Sequence, residues 1–185
     1  MDVTNLIIKA KEGFSTIKVG DSYKDAAIAN LENWLSNPEF EHYQPQIEHM
    51  IQSNYWDYLL DCFYQVIPFG TGGRRGEVGI GPNRINPWTI QASAQGHSQY
   101  LIKQYGDGAK KRGIVLAYDV RQFFSNKYFN DNIENPVRNL NCKDLALAAA
   151  SVYTANEIKV FLFDSFRTTP ELSFAIRYLK AVSGD

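Results

Sequence analysis

The sequence has little cysteine and histidine, and it lacks an excess of charge of either sign. Its 185 residues include only Cys62, Cys142 and three histidines. The two cysteines are too far apart in sequence for a paired metal or redox motif, and they indicate reduced thiols in a cytoplasmic protein. A formal net charge of −1 argues against general binding to nucleic acid or to an anionic membrane.

Long hydrophobic runs are also missing from the start of the chain. Leu6–Ile8 is too short an apolar run for a signal peptide or a membrane span. His42 and His49 have no acidic or cysteine partners at ligand spacing, so we predict surface or capping roles for them and no metal site.

Glycine is abundant over one short stretch. Six of the 13 glycines fall between Gly70 and Gly81, together with Arg74, Arg75 and Arg84. Because ordering glycine costs extra backbone entropy, such a cluster indicates backbone that must approach something closely. Arginine presents a planar fork of donors that suits phosphate or carboxylate. The stretch predicts an anion site, most simply for phosphate, although a pair of glycine-rich turns with solvated arginines has the same composition.

The order of residues in this stretch indicates which kind of phosphate-binding loop it resembles. It is not a Walker loop, because no Gly-Lys-Ser/Thr follows. Residues 69–76 read Phe-Gly-Thr-Gly-Gly-Arg-Arg-Gly, and residues 79–86 read Gly-Ile-Gly-Pro-Asn-Arg-Ile-Asn. This order resembles the opening signature of the α-D-phosphohexomutases, which include the phosphoglucomutases and phosphomannomutases. Arg75 matches the family arginine and Arg74 fills a variable position. The resemblance implies that Arg75 is catalytic and that the phosphate contacts are made by Thr71, Gly72, Gly73 and Arg75.

A helical lead-in is predicted for residues 1–66. Apolar residues recur at three- and four-residue spacing near 23–36, 43–52 and 57–65, which predicts three helices. Residues 1–22 are weakly patterned, and Gly13 and Gly20 are expected to break any long helix, so we interpret them as a loose arm with room for one short helix. The many aromatic residues of this region could form a sugar-stacking platform, but their spacing favours a helical interior.

The remaining residues, 67–185, predict an α/β domain. Residues 113–118 and 158–163 form apolar strands, and residues 142–155 form an alanine-rich helix between them. This β-α-β unit should have parallel strands. The predicted fold class is therefore a mixed sheet with a parallel β-α-β unit sandwiched by helices. Residues 110–112 are interpreted as a solvated basic turn.

A further helix should run from the Asn86 cap and Pro87 to Gly106. His97 lies on its apolar stripe, which favours a hydrogen-bonded core histidine over a catalytic one. Gly96 is costly inside a helix, so we expect another element to pack closely there. At the end of the helix at 142–155, Asn156 is expected to adopt the left-handed cap conformation.

Polar residues follow the first predicted strand. Asp119 and Arg121 lie just past its carboxyl end, where α/β folds gather ligand groups, and phosphohexomutases tend to carry Asp-x-Arg here. The resemblance makes Arg121 a phosphate-binding candidate, while an internal Asp–Arg pair that shapes the loop is an equal alternative. Residues 122–141 are rich in asparagine and are interpreted as a surface insertion without a role in chemistry.

Residues 169–177 resemble the family segment Thr-Pro-x-Leu-Ser-Phe-Ala-x-Arg. In the family, this segment precedes the loop whose serine carries the transferred phosphate, and the chain ends at Asp185 before that loop. The resemblance implies the N-terminal part of an enzyme that interconverts hexose 1-phosphate and hexose 6-phosphate through a phosphoserine and a hexose 1,6-bisphosphate. Mg²⁺ and the remaining domains would belong to the full-length parent, and this fragment alone should be inactive. A stand-alone module that binds an anion or a partner, and a fragment of a phosphopentomutase-type relative, remain alternatives.

Overall fold

The computed structural model describes residues 2–70 and 73–185. The chain forms two compact units. The first comprises the residues up to Asn86 together with Phe123–Asn139, and the second comprises Pro87–Gln122 and Leu140–Asp185. The sequence-based boundary after residue 66 stays a prediction. Within the described ranges, no helix has both the length and the apolar character needed to cross a membrane.

Helices dominate the first unit. Its elements are α1 (Val3–Ser15), α2 (Asp21–Ser36), a 3₁₀ turn (Pro38–Phe40), α3 (Gln44–Gln52), α4 (Trp56–Phe63), and the short strands β1 (Phe69–Gly70) and β2 (Gly73–Arg74). The three helices predicted from periodicity are confirmed, with bounds that differ by one or two residues.

The loose arm predicted for residues 1–22 is wrong, because α1 is a 13-residue helix. The Asp2 side chain caps it by accepting a hydrogen bond from the Asn5 amide at 3.1 Å. Gly13 does not break the helix. A Cβ atom there would lie 2.3 Å from the Trp56 ring, so glycine permits α1 to pack directly against α4.

Aromatic side chains fill the core of this unit. The Trp34 ring stacks on Phe40, with 4.2 Å between ring centroids and an angle of 7° between the planes. Tyr43 and Phe63 meet Trp34 edge-on at 5.1 and 5.6 Å. All four side chains are buried, so Trp34, Tyr43 and Phe63 lie in a helical interior, as their spacing predicts.

Residues 123–139 belong to the helical unit. Tyr128 stacks on Tyr58 of α4, with ring centroids 3.9 Å apart, and Val137 is fully buried. The buried Gln46 side chain donates to the carbonyls of Asn130 (2.8 Å) and Glu134 (3.0 Å), and it accepts from the Asn130 amide (3.0 Å). The expectation of a surface insertion is therefore wrong for this part, since the loop contributes to the core of the unit.

The second unit is an α/β structure. Its elements are α5 (Pro87–Tyr105), α6 (Asp107–Arg112), β3 (Ile114–Leu116), α7 (Cys142–Ala155), β4 (Val160–Leu162), α8 (Thr169–Tyr178) and β5 (Ser183–Gly184). The strand order is β4-β3-β5, and both pairings are parallel. The predicted α/β fold with a parallel β-α-β unit is confirmed. Antiparallel pairing occurs between β1 and β2 of the other unit.

Helices cover both faces of β3. Ile114 and Leu116 pack with α5 and α7 in one buried cluster, and Val115 packs with Ala175 of α8 and with Ala181 in another. Alternation along an extended strand sends these side chains to opposite faces. The sandwich by helices is therefore present within this unit.

Three local expectations are corrected in the second unit. The basic residues 110–112 end α6 instead of forming a turn. Gly96 is exposed, and nothing in the described part of the chain lies within 4 Å of a Cβ placed there, so none of the described elements packs against it. After α7, Glu157 takes the positive φ (60°), while Asn156 has φ −86°.

Candidate functional site

The glycine-arginine stretch begins as a short hairpin. Phe69 pairs with Arg74 and Gly70 pairs with Gly73 in an antiparallel ribbon. The candidate residues Thr71 and Gly72 lie outside the described residues. Gly73 has φ +98°, a backbone conformation that favours glycine, and none of the described residues comes within 4 Å of a Cβ placed there.

The second half of the stretch is fixed to the end of α4. A Cβ on Gly81, which has φ +120°, would lie 2.5 Å from the Cys62 carbonyl oxygen, and the Asn83 amide donates to that carbonyl at 3.1 Å. The buried Asn86 side chain donates to the carbonyls of Gly79 and Gly81, each at 3.0 Å. The close backbone approach expected from the glycines is therefore an approach to α4 in this half.

Arg84 also helps to fix this part of the loop to α4. Its side chain is 5% exposed and makes a 2.5 Å ion pair with Asp61, and its guanidinium lies 5.3 Å from the centre of the Tyr58 ring. Burial raises the pKa of Tyr58 and raises that of Cys62 to about 12. Both groups stay neutral around this buried cation. Arg84 therefore holds the loop and is not available as an anion ligand in this conformation.

The other two arginines of the loop have different surroundings. The Arg74 guanidinium lies over the Phe69 ring, 5.2 Å from its centre, and partial burial lowers its pKa. Arg75 is exposed. Among the residues that the structure describes, no carboxylate forms an ion pair with Arg75. Arg75 is the loop arginine whose charge faces solvent.

Asp119 and Arg121 form a pair in the second unit. The Asp119 carboxylate accepts from the Arg121 backbone amide (3.0 Å) and from its Nε (2.8 Å), and a guanidinium nitrogen lies 2.7 Å away. The hydrogen bond from Arg121, and then the one from Cys142, lower the pKa of Asp119 to about 2. The internal pair considered from the sequence is present, and the Arg121 side chain remains 82% exposed.

Possible metal ligands do not cluster within residues 2–70 and 73–185. No group of three or more His, Cys, Asp or Glu side chains is placed to hold an ion there. His42 hydrogen-bonds Glu134, which is 92 positions away in sequence, at 2.7 Å. Cys62 and Cys142 are free thiols.

The anchoring residues Asp61 and Asn86 were not singled out from the sequence for this role. Asp61 precedes Arg84 by 23 positions, and no periodic pattern joins the two. Asn86 was predicted only as a helix cap. The spacing from Gly79 to Asn86 is the sequence signal that could have indicated a turn held by its own asparagine side chain.

Comparison with known proteins gives three informative relatives. The phosphoglucomutase of Staphylococcus haemolyticus is 36% identical over 122 residues, which is 66% of this chain and 18% of that protein. The human glucose 1,6-bisphosphate synthase is 32% identical over 165 residues, which is 89% of this chain and 24% of that protein. The mouse phosphopentomutase is 28% identical over 164 residues, with the same coverages.

The chain thus spans about a fifth to a quarter of the length of these curated relatives. No family model matches the chain, and no solved structure matches it. The relatives carry phosphosugar mutase or synthase names and align with most of this sequence, which also carries the glycine-arginine signature. Over the region that it shares with them, the chain belongs to the α-D-phosphohexomutase family.

Proposed function

We propose that this chain is the N-terminal part of a phosphohexomutase that interconverts hexose 1-phosphate and hexose 6-phosphate. The reaction would pass through a phosphoserine and a hexose 1,6-bisphosphate. Within the chain, Arg75 would be the catalytic arginine that binds phosphate, assisted by Thr71, Gly72 and Gly73. Arg121 would be a further phosphate contact. On its own the chain would bind a phosphosugar without converting it.

The surroundings of Arg75 are the observation that supports this proposal most strongly. Its neighbours in the loop are engaged, Arg84 with Asp61 and Arg74 over Phe69, while Arg75 is exposed. The segment that follows it, 79–86, is fixed to α4 by the Asn83 amide and is held internally by the Asn86 side chain. A guanidinium on an anchored loop forms charge-assisted hydrogen bonds to phosphate with little conformational cost.

Mg²⁺ is implied by the family, and the described residues of this chain do not fit it, since they contain no group of three possible ligands. We therefore assign no step in this chain to a metal. In phosphoryl transfer, the protein contributes mainly positioning and charge stabilisation. Arg75 is suited to the second of these roles, and the metal and the phosphate-carrying serine would come from the rest of the parent protein.

An assay of the parent protein tests the proposal. Formation of glucose 6-phosphate from glucose 1-phosphate should fall strongly in Arg75→Ala, by a factor of about 10–150 if one charge-assisted hydrogen bond of roughly 1.5–3 kcal/mol is lost. Arg74→Ala should change the rate much less and serves as the matched control. Residues 1–185 alone should give no turnover with Mg²⁺ and glucose 1,6-bisphosphate supplied.

Full activity of Arg75→Ala in the parent would exclude the role of Arg75. Turnover that scales with the purified 185-residue chain would exclude the fragment interpretation. The mouse phosphopentomutase covers the same 89% of the chain, so ribose 1-phosphate is the second substrate to test. Faster conversion of the pentose would assign the parent to that branch.

A further inference from the structure

Four polar side chains in the second unit form a hydrogen-bond chain that includes none of the residues used in the proposed function. His97 of α5 approaches Tyr153 of α7, with 2.9 Å between Nδ1 and the hydroxyl oxygen. The Tyr153 hydroxyl donates to Asp185 at 3.1 Å. On the other side of the imidazole, Nε2 lies 3.3 Å from the Ser183 hydroxyl. Both outer members of the chain, Ser183 and Asp185, lie at strand β5.

The chemistry of these groups determines which atom donates and which accepts in each hydrogen bond. An ionised carboxylate only accepts hydrogen bonds, so the single proton of the Tyr153 hydroxyl points to Asp185. The tyrosine oxygen can then only accept from the imidazole, and Nδ1 of His97 must carry the proton. A neutral imidazole has one proton, which leaves Nε2 as the acceptor for the Ser183 hydroxyl.

Strand β5 has few backbone contacts of its own. It is two residues long and pairs only with β3 among the described strands. The hydrogen bonds at its ends are Val182 N–H to Gly113 (2.9 Å), Asp185 N–H to Val115 (2.9 Å) and Ala117 N–H to Asp185 (3.0 Å). So short a strand gains little from its own ladder, and side chains that join it to two helices add substantially to its placement.

We propose that His97 is a positioning residue whose neutral Nδ1–H tautomer holds β5 in register on β3, through Ser183 and through Tyr153 to Asp185. In the phosphohexomutase interpretation, this strand leads to the phosphate-carrying serine loop. That consequence rests on the proposed function, whereas the hydrogen-bond chain does not. His97 would then influence catalysis through the strand, without touching substrate.

Protonation of His97 works against this arrangement. A proton on Nε2 removes the acceptor for the Ser183 hydroxyl, which must rotate and accept instead. Partial burial lowers the pKa of His97, and the charge of Asp185 on β5 opposes that shift. From α7, the titratable group facing the ring is Tyr153, whose pKa is raised by its burial and by Asp185. The neutral imidazole is therefore the form that the fold favours, and the hold on β5 weakens as the pH falls below the ordinary pKa of histidine, about 6.5.

The tautomer can be measured on the 185-residue chain without an activity assay. Two-bond ¹⁵N–¹H spectra of the histidine side chains at pH 8 should show His97 with a protonated Nδ1 and a bare Nε2. His42 and His49 provide internal references. An Nε2–H tautomer or an imidazolium at that pH overturns the proposal.

Hydrogen exchange tests the effect on the strand. His97→Ala and Tyr153→Phe should each speed exchange of the Ala117 and Val182 amides by about fivefold or more, the effect of one lost hydrogen bond. The Ile114 and Phe163 amides, which bond Lys159 and Leu116 on the β4 side of the same sheet, should change much less. Gln99→Ala, an exposed change on α5, should change amide exchange at neither edge of β3.

Equal acceleration at both edges of β3 would mean general destabilisation and would overturn the positioning role. Covalent labelling of Ser183 by a fluorophosphonate probe would also overturn it, because the serine would then act as a nucleophile. His97→Asn, whose side-chain amide can still donate to Tyr153, should restore part of the protection. A proposed function that fails in the parent assay leaves these measurements unaffected, so the two failures are distinguishable.

Discussion

Arg75 and Arg84 carry the same charge in the same glycine-rich stretch, and their surroundings give them different tasks. Arg84 is buried against Asp61 and Tyr58, while Arg75 is exposed. A buried guanidinium stabilises the fold, and an exposed one on an anchored loop can bind a ligand. A substitution at Arg84 should therefore affect mainly stability, and a substitution at Arg75 should affect mainly ligand binding.

Alanine substitutions test this separation. Breaking a fully buried ion pair costs about 3–5 kcal/mol. Because the Asp61 side chain is 57% exposed and can be rehydrated, we expect Arg84→Ala to lower the free energy of unfolding by about 2–3 kcal/mol. Arg75→Ala should change it by no more than about 0.5 kcal/mol. Urea unfolding of both variants measures the difference, and equal losses would contradict the assignment.

The Asp119 carboxylate offers a pH-dependent test. The hydrogen bonds from Arg121, first, and from Cys142 lower its pKa to about 2 from 3.8. These contacts therefore stabilise the folded state fully above about pH 4, and their contribution is lost as the pH falls towards 2. Arg121→Ala should return the pKa of Asp119 towards its ordinary value. NMR titration of the carboxyl carbon measures this shift, and an unchanged pKa would show that Arg121 is not its cause.

The sequence predicts which residue types form the candidate site better than it predicts the role of each residue. The signature predicts a phosphate-binding role for Arg75 and assigns none to Arg84. The anchoring role of Arg84 depends on Asp61, which precedes it by 23 positions and meets it only after α4 has packed. A tertiary contact of this kind leaves no local pattern in the sequence.

At the scale of elements, two helical glycines provide a contrast. In α1, a Cβ on Gly13 would lie 2.3 Å from the Trp56 ring, whereas Gly96 of α5 has nothing within 4 Å. Helix propensity favours alanine over glycine by about 1 kcal/mol at either position. Packing should reverse that preference at Gly13 only.

We therefore expect opposite effects from the same substitution. Gly13→Ala should destabilise the protein by about 1–3 kcal/mol through overpacking, and Gly96→Ala should stabilise it by about 0.5–1 kcal/mol. Thermal unfolding of the two variants measures both signs. A stabilising Gly13→Ala would contradict the close packing of α1 on α4.

Periodicity predicted the long helices well, because each has an apolar face that reads at three- and four-residue spacing. It failed at α1, where the glycine was taken as a helix breaker and its packing partner was unknown. It failed again at α6, where the run at 110–112 was judged by its charge, although its Lys110 pairs with Glu157. At Glu157 the left-handed conformation falls on a residue that propensity does not favour.

At the scale of the whole molecule, the chain returns to its first unit after leaving it. Residues 123–139 are held there by the buried Gln46 side chain and by the Tyr58–Tyr128 stack. Polar composition alone suggested an exposed insertion, because asparagine-rich loops are usually solvated. Here the side chains of Asn126, Asn130 and Asn135 accept hydrogen bonds from amides of the loop, while Phe129 and Val137 are buried.

Removing the Gln46 amide should release this segment. Gln46→Ala leaves two carbonyls and one amide without their partner, and we expect a loss of about 2–3 kcal/mol in stability and faster hydrogen exchange over 123–139. Gln52→Ala on the same helix is the control, because it removes only an exposed hydrogen bond from Lys9 and no contact to the loop. Unchanged exchange in the loop would show that Gln46 does not hold it.

Phosphosugar binding by the 185-residue chain tests the central claim most directly. Titration with glucose 1,6-bisphosphate, followed by ¹⁵N NMR, should produce saturable shifts centred on residues 69–76. Arg75→Ala should abolish those shifts, and Arg74→Ala should retain them. Binding that is unchanged in Arg75→Ala, or shifts that appear only outside this loop, would contradict the account.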